Sequence, residues 1–414
     1  MEETVRSIRD FGIAPANSGA KNKRLLQEGI EWAAANGSAL FISPTDEPYP
    51  VEGGLQVRRN VSLIGVHGPV GRGTTHPRKQ QPVGSVFRID DADRVFLTVE
   101  AATQVRGVQF WYPEQTLDAP EDIIKYPATI QGSRTTSPQG VTLSCLTFYG
   151  EYVAMDFTAS ADNICELILF EHCYGYPLSG RFICLDYCYD IPRILHCHVN
   201  PANRRFIDGQ YSPSVVDHVV AQKTFSYWVD HTDNAQFMDL FTFGAYGGAY
   251  LGADTYGQLT NFNFDCVTVG IHKQGSGSLN RNWQIAQGSI IANTGDRLED
   301  IHPIIVEGQG HTAVSNVEAF SGKNPALTAF GKSQDFLIIR GDQRVTVSLS
   351  NCRMRDYAAS DPISNLNPNA VIQANGCIDA REAPFSRVIV PEGVRSNAPV
   401  GNSAKDSQRS NSGG

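Results

Sequence analysis

No stretch of this 414-residue chain approaches the roughly 18 consecutive apolar residues that mark a membrane-crossing helix, so no transmembrane span is expected. Positive charge is scarce. The 34 Lys and Arg residues against 43 Asp and Glu leave a formal charge of −9, which gives no basic field for phosphates and argues against a nucleic-acid partner. That balance suits a neutral or cationic ligand. The nine cysteines contain no CxxC pair, which removes a zinc ribbon, and an odd number in so long a chain is no disulfide framework. Several fall at apolar repeat positions, where Cys acts as a small core residue. MEETVRSIRD is no charged-then-apolar leader, so either the protein stays inside the cell or a leader has been removed. The glycines of GVHGPVGRGT precede neither a Lys-Ser/Thr step nor a helix, so this is a loop and not a phosphate cradle.

Between Val141 and Ile290 no segment has the long 3.6-residue apolar period of a helix, which excludes helical repeats. Present instead is a short pattern with apolar residues at positions one, three, six and eight, clearest in Val141, Leu143, Leu146 and Phe148. Its last position recurs at Phe148, Phe170, Cys197, Ala221, Phe243, Phe264, Ile290, Ala319, Cys352 and Cys377, at intervals of about 21 to 33 residues that signal a solenoid. Alternating runs such as QLTNFNFDC and DFLIIRG supply short strands. Strands that cannot bury an apolar side alone do so by stacking on the next coil, about 4.8 Å away, so the expected fold is an all-β parallel β-helix. Ahead of the repeats, Leu25, Leu26, Ile30 and Ala33 share a helical face, with Asn22 as its cap and a stop at Asn36-Gly37. This helix is expected to shield the open end of the core. The reading is therefore a cap helix and first strand over residues 1–50, a β-helix with inserted loops over 51–395, and a disordered tail over 396–414.

The order DFGIAPANSGAKNKRLLQEGIEWAAANGSALFISPTDEPYPVEGGLQVRRNVSLIGV resembles the opening module of the pectate-lyase superfamily related to family 28 glycoside hydrolases. It departs from that family at Pro44–Tyr49 and in the loop AsnSerGlyAlaLys. The resemblance implies a right-handed, single-stranded parallel β-helix with a capping helix, an oligo- or polysaccharide ligand, no cofactor, an extracytoplasmic setting and, by way of tailspikes, a homotrimer. It leaves the reaction open among hydrolysis, elimination and transfer, because one fold carries many chemistries. The family 28 motifs NTD, GHG, RIK and a paired Asp step are missing from the middle coils, which disfavours a polygalacturonase. Trp228–His231 resembles the "WiDH" phrase of pectate lyases and Pro201–Arg204 half of "RxPxxR", but their order is reversed and Val199 stands where the first Arg belongs.

Loops 112–126, 198–212, 246–256 and 272–282 mix aromatics, carboxylates, Arg and Asn, the equipment of sugar recognition. If each marker residue points inward, its neighbours point out, and Glu171 and His198 then sit one coil apart, roughly 5 Å, as a carboxylate–imidazole pair. Glu171 and Asp265 lie four coils apart, roughly 19 Å, beyond the ~5 to 9.5 Å of glycosidase carboxyl pairs, so a second carboxylate must come from a loop: Asp208, Asp230 or Asp233. Glu171, His198, Asp208, Asp230 and Asp233 are thus the catalytic candidates. His196, Arg204, Arg205, Gln222, Tyr246 and Asp265 are the substrate-binding candidates, with the two arginines as clamps for an acidic sugar. His196 with His198, and Asp230-His231-Thr232-Asp233, offer metal ligands, but nothing in the sequence joins the two groups, and no metal is expected. The reading of another class is a non-catalytic, tailspike-like glycan-binding solenoid.

Overall fold

The segment Val141–Phe148 is two strands that meet at a corner. Thr142–Ser144 and Thr147–Tyr149 flank Cys145, which takes a left-handed φ of 54°. The unequal apolar spacing follows: positions one and three belong to one strand, six and eight to the next. The same corner is occupied on successive coils by Gly107, Cys145, His172, His196, Asp239, Asn261, Gln287, Asn316, Asn351 and Gly376, all at positive φ. Gly, Asn, Asp and His tolerate that conformation better than branched residues do.

The computed structural model describes residues 5–71, 73–275, 281–294, 301–322, 331–358, 361–385 and 388–389. Residues 396–414, read as a tail from the sequence, lie outside the described residues. Each coil carries three short strands, and like strands stack in parallel into three faces of a right-handed β-helix. On the first face the inward column runs Leu143, Phe170, Ile194, Phe237, Leu259 and Ile285 in unbroken register. On the second it includes Val199, Thr242, Phe264, Ile290 and Ala319. The third face is an eleven-stranded sheet whose inward column includes Leu185, Val229, Leu251, Lys273, Val306 and Ile339. Burying these side chains contributes on the order of 1.5 to 3 kcal/mol each for the large apolar ones. Lys273 is the exception, buried with its amine donating to the Gln309 carbonyl at 2.5 Å, and burial pushes it down to about 8.

Helix α1, Gly19–Asn36, closes the N-terminal end. Its cap is Ser18, whose side chain accepts from Lys21 N–H, and Gly37 ends it at φ 57°. Asn22 is not the cap: it is buried and its amide donates to the carbonyls of Ala14 and Pro50, tying the helix to the first coils.

The register corrects the sequence reading at six of the ten markers. Phe148, Phe264, Ile290 and Ala319 do share the second-face column, but Phe170 lies in the first, Cys197, Cys352 and Cys377 fall two residues ahead of that column, and Phe243 stands one residue past its inward member Thr242. Ala221 is in no coil at all: it ends helix α2, Pro213–Ala221, capped by Ser212. The run PSVVDHVVA has helical spacing that was too short to recognise as such. Helix α2 belongs to an insertion, residues 200–224, between the second- and third-face strands of one coil. The insertion is fastened by Arg204, fully buried, which pairs with Asp208 and donates to the Gln115 carbonyl at 3.4 Å, and by Asn203, which donates to the Phe148 carbonyl at 2.5 Å. Beside this staple, Glu151 is fully buried with no well-formed hydrogen bond to either carboxyl oxygen. Burial pushes it up to about 8, against the opposite pull of nearby backbone N–H groups and Arg204.

Two outcomes follow from these positions. A Val at Asn261, the exposed corner residue at φ 55°, should destabilise the fold by about 1 to 2 kcal/mol relative to Asn261→Gly, read from urea midpoints. Glu151 has a folded value above its unfolded one, so the stability linked to its proton is complete below about 4.5 and is lost as pH rises toward about 8. Glu151→Gln should therefore raise the melting midpoint at pH 8 and leave it nearly unchanged at pH 4; an equal shift at both would refute the buried-proton account.

Candidate active site

On the outer side of the third face, two columns of side chains stand next to each other because outward positions alternate along each strand. One column runs Asp156, Cys184, Trp228, Tyr250 and His272. The other, two residues further along each strand, holds Thr158, Asp186, Asp230, Gly252, Gln274 and Glu307. Three rings, Trp228, Tyr250 and His272, thus follow one another in the first column, and the second carries the carboxylates Asp186, Asp230 and Glu307.

The two central carboxylates are built by one repeated local motif. Asp186 Oδ1 accepts the N–H of Tyr187 at 2.9 Å, and one coil on, Asp230 Oδ1 accepts the N–H of His231 at 3.0 Å. Tyr187 and His231 are both left-handed corner residues, at φ 49° and 35°, and their rings stack at 4.4 Å and 6°. That stack aims His231 Nδ1 at both carboxylates: 2.9 Å from Asp186 Oδ1 and 3.7 Å from Asp230 Oδ1. Facing acceptors only, Nδ1 carries the hydrogen. The two Oδ1 atoms are no farther apart than the sum of those distances.

Asp230 is shifted up, first by burial and then by the charges of Asp186 and Asp254, with the His231 N–H and ring pulling the other way. Room for its carboxyl comes from Gly252 on the next coil, where a Cβ would lie 2.7 Å from both Cγ and Oδ1 of Asp230. Trp228 and Tyr250 lie parallel with centroids 5.9 Å apart. Phe225 packs on Tyr250 at 5.6 Å, and Tyr246 meets Phe225 edge-on at the same distance. His272 Nε2 pairs with Glu307 at 3.1 Å.

Of the residues singled out from sequence, Asp230 is central and Tyr246 stands behind the ring column. Asp233, with its Oδ1 buried and unpartnered, lies near enough to Cys188 and Tyr189 to act on them electrostatically. The others lie elsewhere. Glu171 sits beside Ser144 and Leu195, and His198 beside Tyr174 and Phe241, so the two are not register partners one coil apart. The cause is the register: Glu171 ends a first-face strand, whereas His198 begins a second-face strand beyond the corner. His198 is stacked on Phe241 at 4.3 Å, and His196, a corner residue, binds Asp239 at 2.8 Å. Asp208 and Arg204 are spent on each other, so Arg204 cannot clamp a substrate carboxylate, and Arg205 lies over the ring of exposed Phe206. Gln222 is the cap that follows helix α2, with its amide on His218, and Asp265 pairs with Phe243 on the second face. Part of loop 272–282, residues 276–280, lies outside the described residues. Among the described residues no group of three or more His, Cys, Asp or Glu side chains is set to hold a metal, and no helix is long and apolar enough to cross a membrane.

Sequence reading missed Asp186, the Trp228–Tyr250 pair and the role of Gly252. The available signal was the repeated step CLDY and WVDH, an inward residue, an outward Asp and a corner aromatic, in Leu185–Tyr187 and Val229–His231.

No protein-family model matches the chain, and no curated protein matches it. Solved structures do share the fold. The enzymatically active domain of bacteriophage CBA120 tailspike protein 2 superposes with a TM-score of 0.56 at 8% identity, over 88% of this chain and 52% of that one. This chain therefore spans about half the length of that tailspike domain. The tailspike of E. coli bacteriophage HK620, a double mutant in complex with a pentasaccharide, gives 0.55 at 12% identity over 92% of this chain and 67% of that one. The DFA-IIIase of Arthrobacter chlorophenolicus A6 gives 0.51 at 10% identity over 97% and 100%. At such identities the likeness is one of fold, the parallel β-helix.

The Gly252 recess gives a direct test of the geometry. Gly252→Ala should displace the Asp230 carboxyl and lower any activity of this site at least tenfold while leaving the circular dichroism spectrum unchanged. Full activity in that variant would remove Asp230 from the centre of the site.

Proposed function

We propose that the chain is a carbohydrate-active enzyme that hydrolyses a glycosidic bond of an oligo- or polysaccharide lying along the third face. The observation that carries this reading is the in-register pair Asp186 and Asp230, one coil apart, beside the parallel rings of Trp228 and Tyr250. Rings offer apolar surface to sugar C–H faces, and carboxylates offer acid/base groups. The upper limit set by their shared contact with His231 only just reaches the ~6.5 to 9.5 Å of inverting enzymes, so the spacing fits the ~5 to 5.5 Å of retaining ones better.

Asp230, whose burial favours its protonated form, is the general acid that protonates the leaving oxygen. Asp186, held by the Tyr187 N–H and His231 Nδ1, is the nucleophile that attacks the anomeric carbon. Water then resolves the glycosyl ester, with Asp230 as base. His231 is a positioning residue between them. The fold likeness to a DFA-IIIase and to tailspikes is compatible with this reading but does not select the sugar.

The test is release of reducing ends from a glycan panel by the purified protein. Asp186→Asn and Asp230→Asn should each lower turnover by at least about a hundredfold without unfolding, the scale of lost acid/base catalysis. Activity should fall as pH rises through the raised value of Asp230, because the acid loses its proton. Glycan binding without turnover would favour the non-catalytic, tailspike-like reading, for which light scattering would report a trimer. Loss of activity in Glu171→Gln and His198→Ala, but not in Asp186→Asn, would move the chemistry to the first and second faces.

A further inference from the structure

We propose that an open cleft on the second face of the N-terminal coils is a non-catalytic binding site for sugar units of the glycan; the inference takes from the hydrolase reading its ligand class and none of its chemistry. The cleft holds about 450 Å³, inside the roughly 300 to 1,000 Å³ of small-molecule sites. Strand alternation sets its ring. Phe110 points inward and stacks on Phe148 at 5.1 Å, so Trp111 beside it points out, in register with Arg88 on the coil before and Tyr149 on the coil after. Tyr149 is fully buried, with its hydroxyl donating to Gln109 at 2.7 Å, whereas Trp111 and Arg88 are half-buried and line the cleft. The indole Nε1 is buried without a hydrogen bond, and among the described residues no other ring packs on Trp111. The indole therefore offers the cleft carbon surface rather than a donor. Pro15, ahead of helix α1, and Pro113, beyond Trp111, extend that surface, which suits the C–H side of a sugar ring.

The polar lining has bonding capacity to spare. Arg88 donates Nε and Nη2 to Asp90 at 2.7 to 3.1 Å, which leaves the two hydrogens of Nη1 without an acceptor among the described residues. Gln81 gives its amide hydrogens to the Asp46 carbonyl at 3.0 Å and to Glu47 at 2.9 Å, so its carbonyl oxygen is left as an acceptor; Glu47 is also paired with Lys79. Glu114 is exposed and near enough to Arg88 to act on it electrostatically, and its carboxylate accepts no hydrogen bond from the described residues. A hydroxyl both donates and accepts, so spare donors on Arg88 and spare acceptors on Gln81 and Glu114 around an apolar face match the neighbouring hydroxyls of a sugar. The cleft is separate from the carboxylate pair: the coil of Trp111 precedes that of Asp186 by two, and Asp186 stands on the third face. A polymer held at Trp111 leaves the third face open and raises the concentration of its other segments there, as tethering does.

The test is affinity electrophoresis and calorimetry of the purified protein against soluble glucan, fructan, galactan and mannan polymers, with turnover of a polymer and of a short oligosaccharide of the same linkage read beside it. Trp111→Ala should weaken binding of the retained polymer at least about tenfold, the scale of a lost aromatic anchor, and Trp111→Phe by less. Glu114→Ala, at an exposed position, should weaken it several-fold. On the polymer KM should rise with kcat unchanged, and on the short oligosaccharide neither should change. Binding that is unaltered in Trp111→Ala and Glu114→Ala overturns the proposal, as does a wild-type protein that binds no polymer of the panel. Where Trp111→Ala lowers the melting midpoint, Glu114→Ala decides, and unaltered binding in it again overturns the proposal. An equal fall of kcat on short and long substrates in Trp111→Ala also refutes a separate anchoring site. If no glycan is cleaved while polymer binding still depends on Trp111 and Glu114, the hydrolase reading falls and this site stands.

Discussion

Everything in this molecule depends on strands, most of them of two to six residues, hydrogen-bonding in register to the coil before and the coil after. None could persist alone, since each fixes more backbone freedom than its few side chains repay. Stacked, they place Leu143, Phe170, Ile194 and Phe237 in one inward column and make each coil the template of the next. The same constraint acts on the outer surface. Once Leu185 is opposite Val229, Asp186 has no choice but to stand opposite Asp230. A pair of functional groups far apart in the chain is thus positioned by core packing, and its precision is that of a sheet rather than that of a loop.

The corners add the second constraint. A coil must turn between faces, and one left-handed residue per corner does so with little chain. At the corner between the first and second faces the residues are His172, His196, Asp239 and Asn261, polar types whose presence is explained by backbone conformation alone. At the corner after the third face the same device has a chemical consequence. Tyr187 and His231 turn the chain, their amides hold the preceding aspartates, and their stacked rings hold an imidazole between two carboxylates.

This explains what the sequence made legible. Apolar spacing and turn residues sufficed for a parallel β-helix with a helical cap, because those signals are local and repeated. Register was not legible, since the pattern of one, three, six and eight reads as one strand unless the residue between Ser144 and Leu146 is known to be left-handed. Taking Phe170 and Cys197 as counterparts of Phe148 set Glu171 opposite His198, whereas the register places Glu171 beside Ser144 and Leu195 and His198 beside Tyr174 and Phe241. The insertion compounded the error. Helix α2 supplies Val219, Val220 and Ala221 at a repeat-like interval, yet they belong to a helix of the insertion and not to a strand of the coil. Asp230 was reached only as one of three loop carboxylates; Asp186 was not reached, because what makes it notable is a partner on the next coil.

Two carboxyls one coil apart oppose double ionisation, so a symmetric pair would share one proton without assigning it. The backbone breaks the symmetry here. His231 is fixed in φ by its corner and in plane by Tyr187, which leaves Nδ1 0.8 Å closer to Asp186 than to Asp230, at 2.9 against 3.7 Å. The closer carboxylate takes the hydrogen bond. The other is left beside Gly252, where the missing side chain admits its carboxyl but supplies no donor, and there burial favours the proton. The two proposed roles, acid and nucleophile, are therefore distinguished by a corner residue and a glycine on neighbouring coils, both demanded by the stacking that forms the fold.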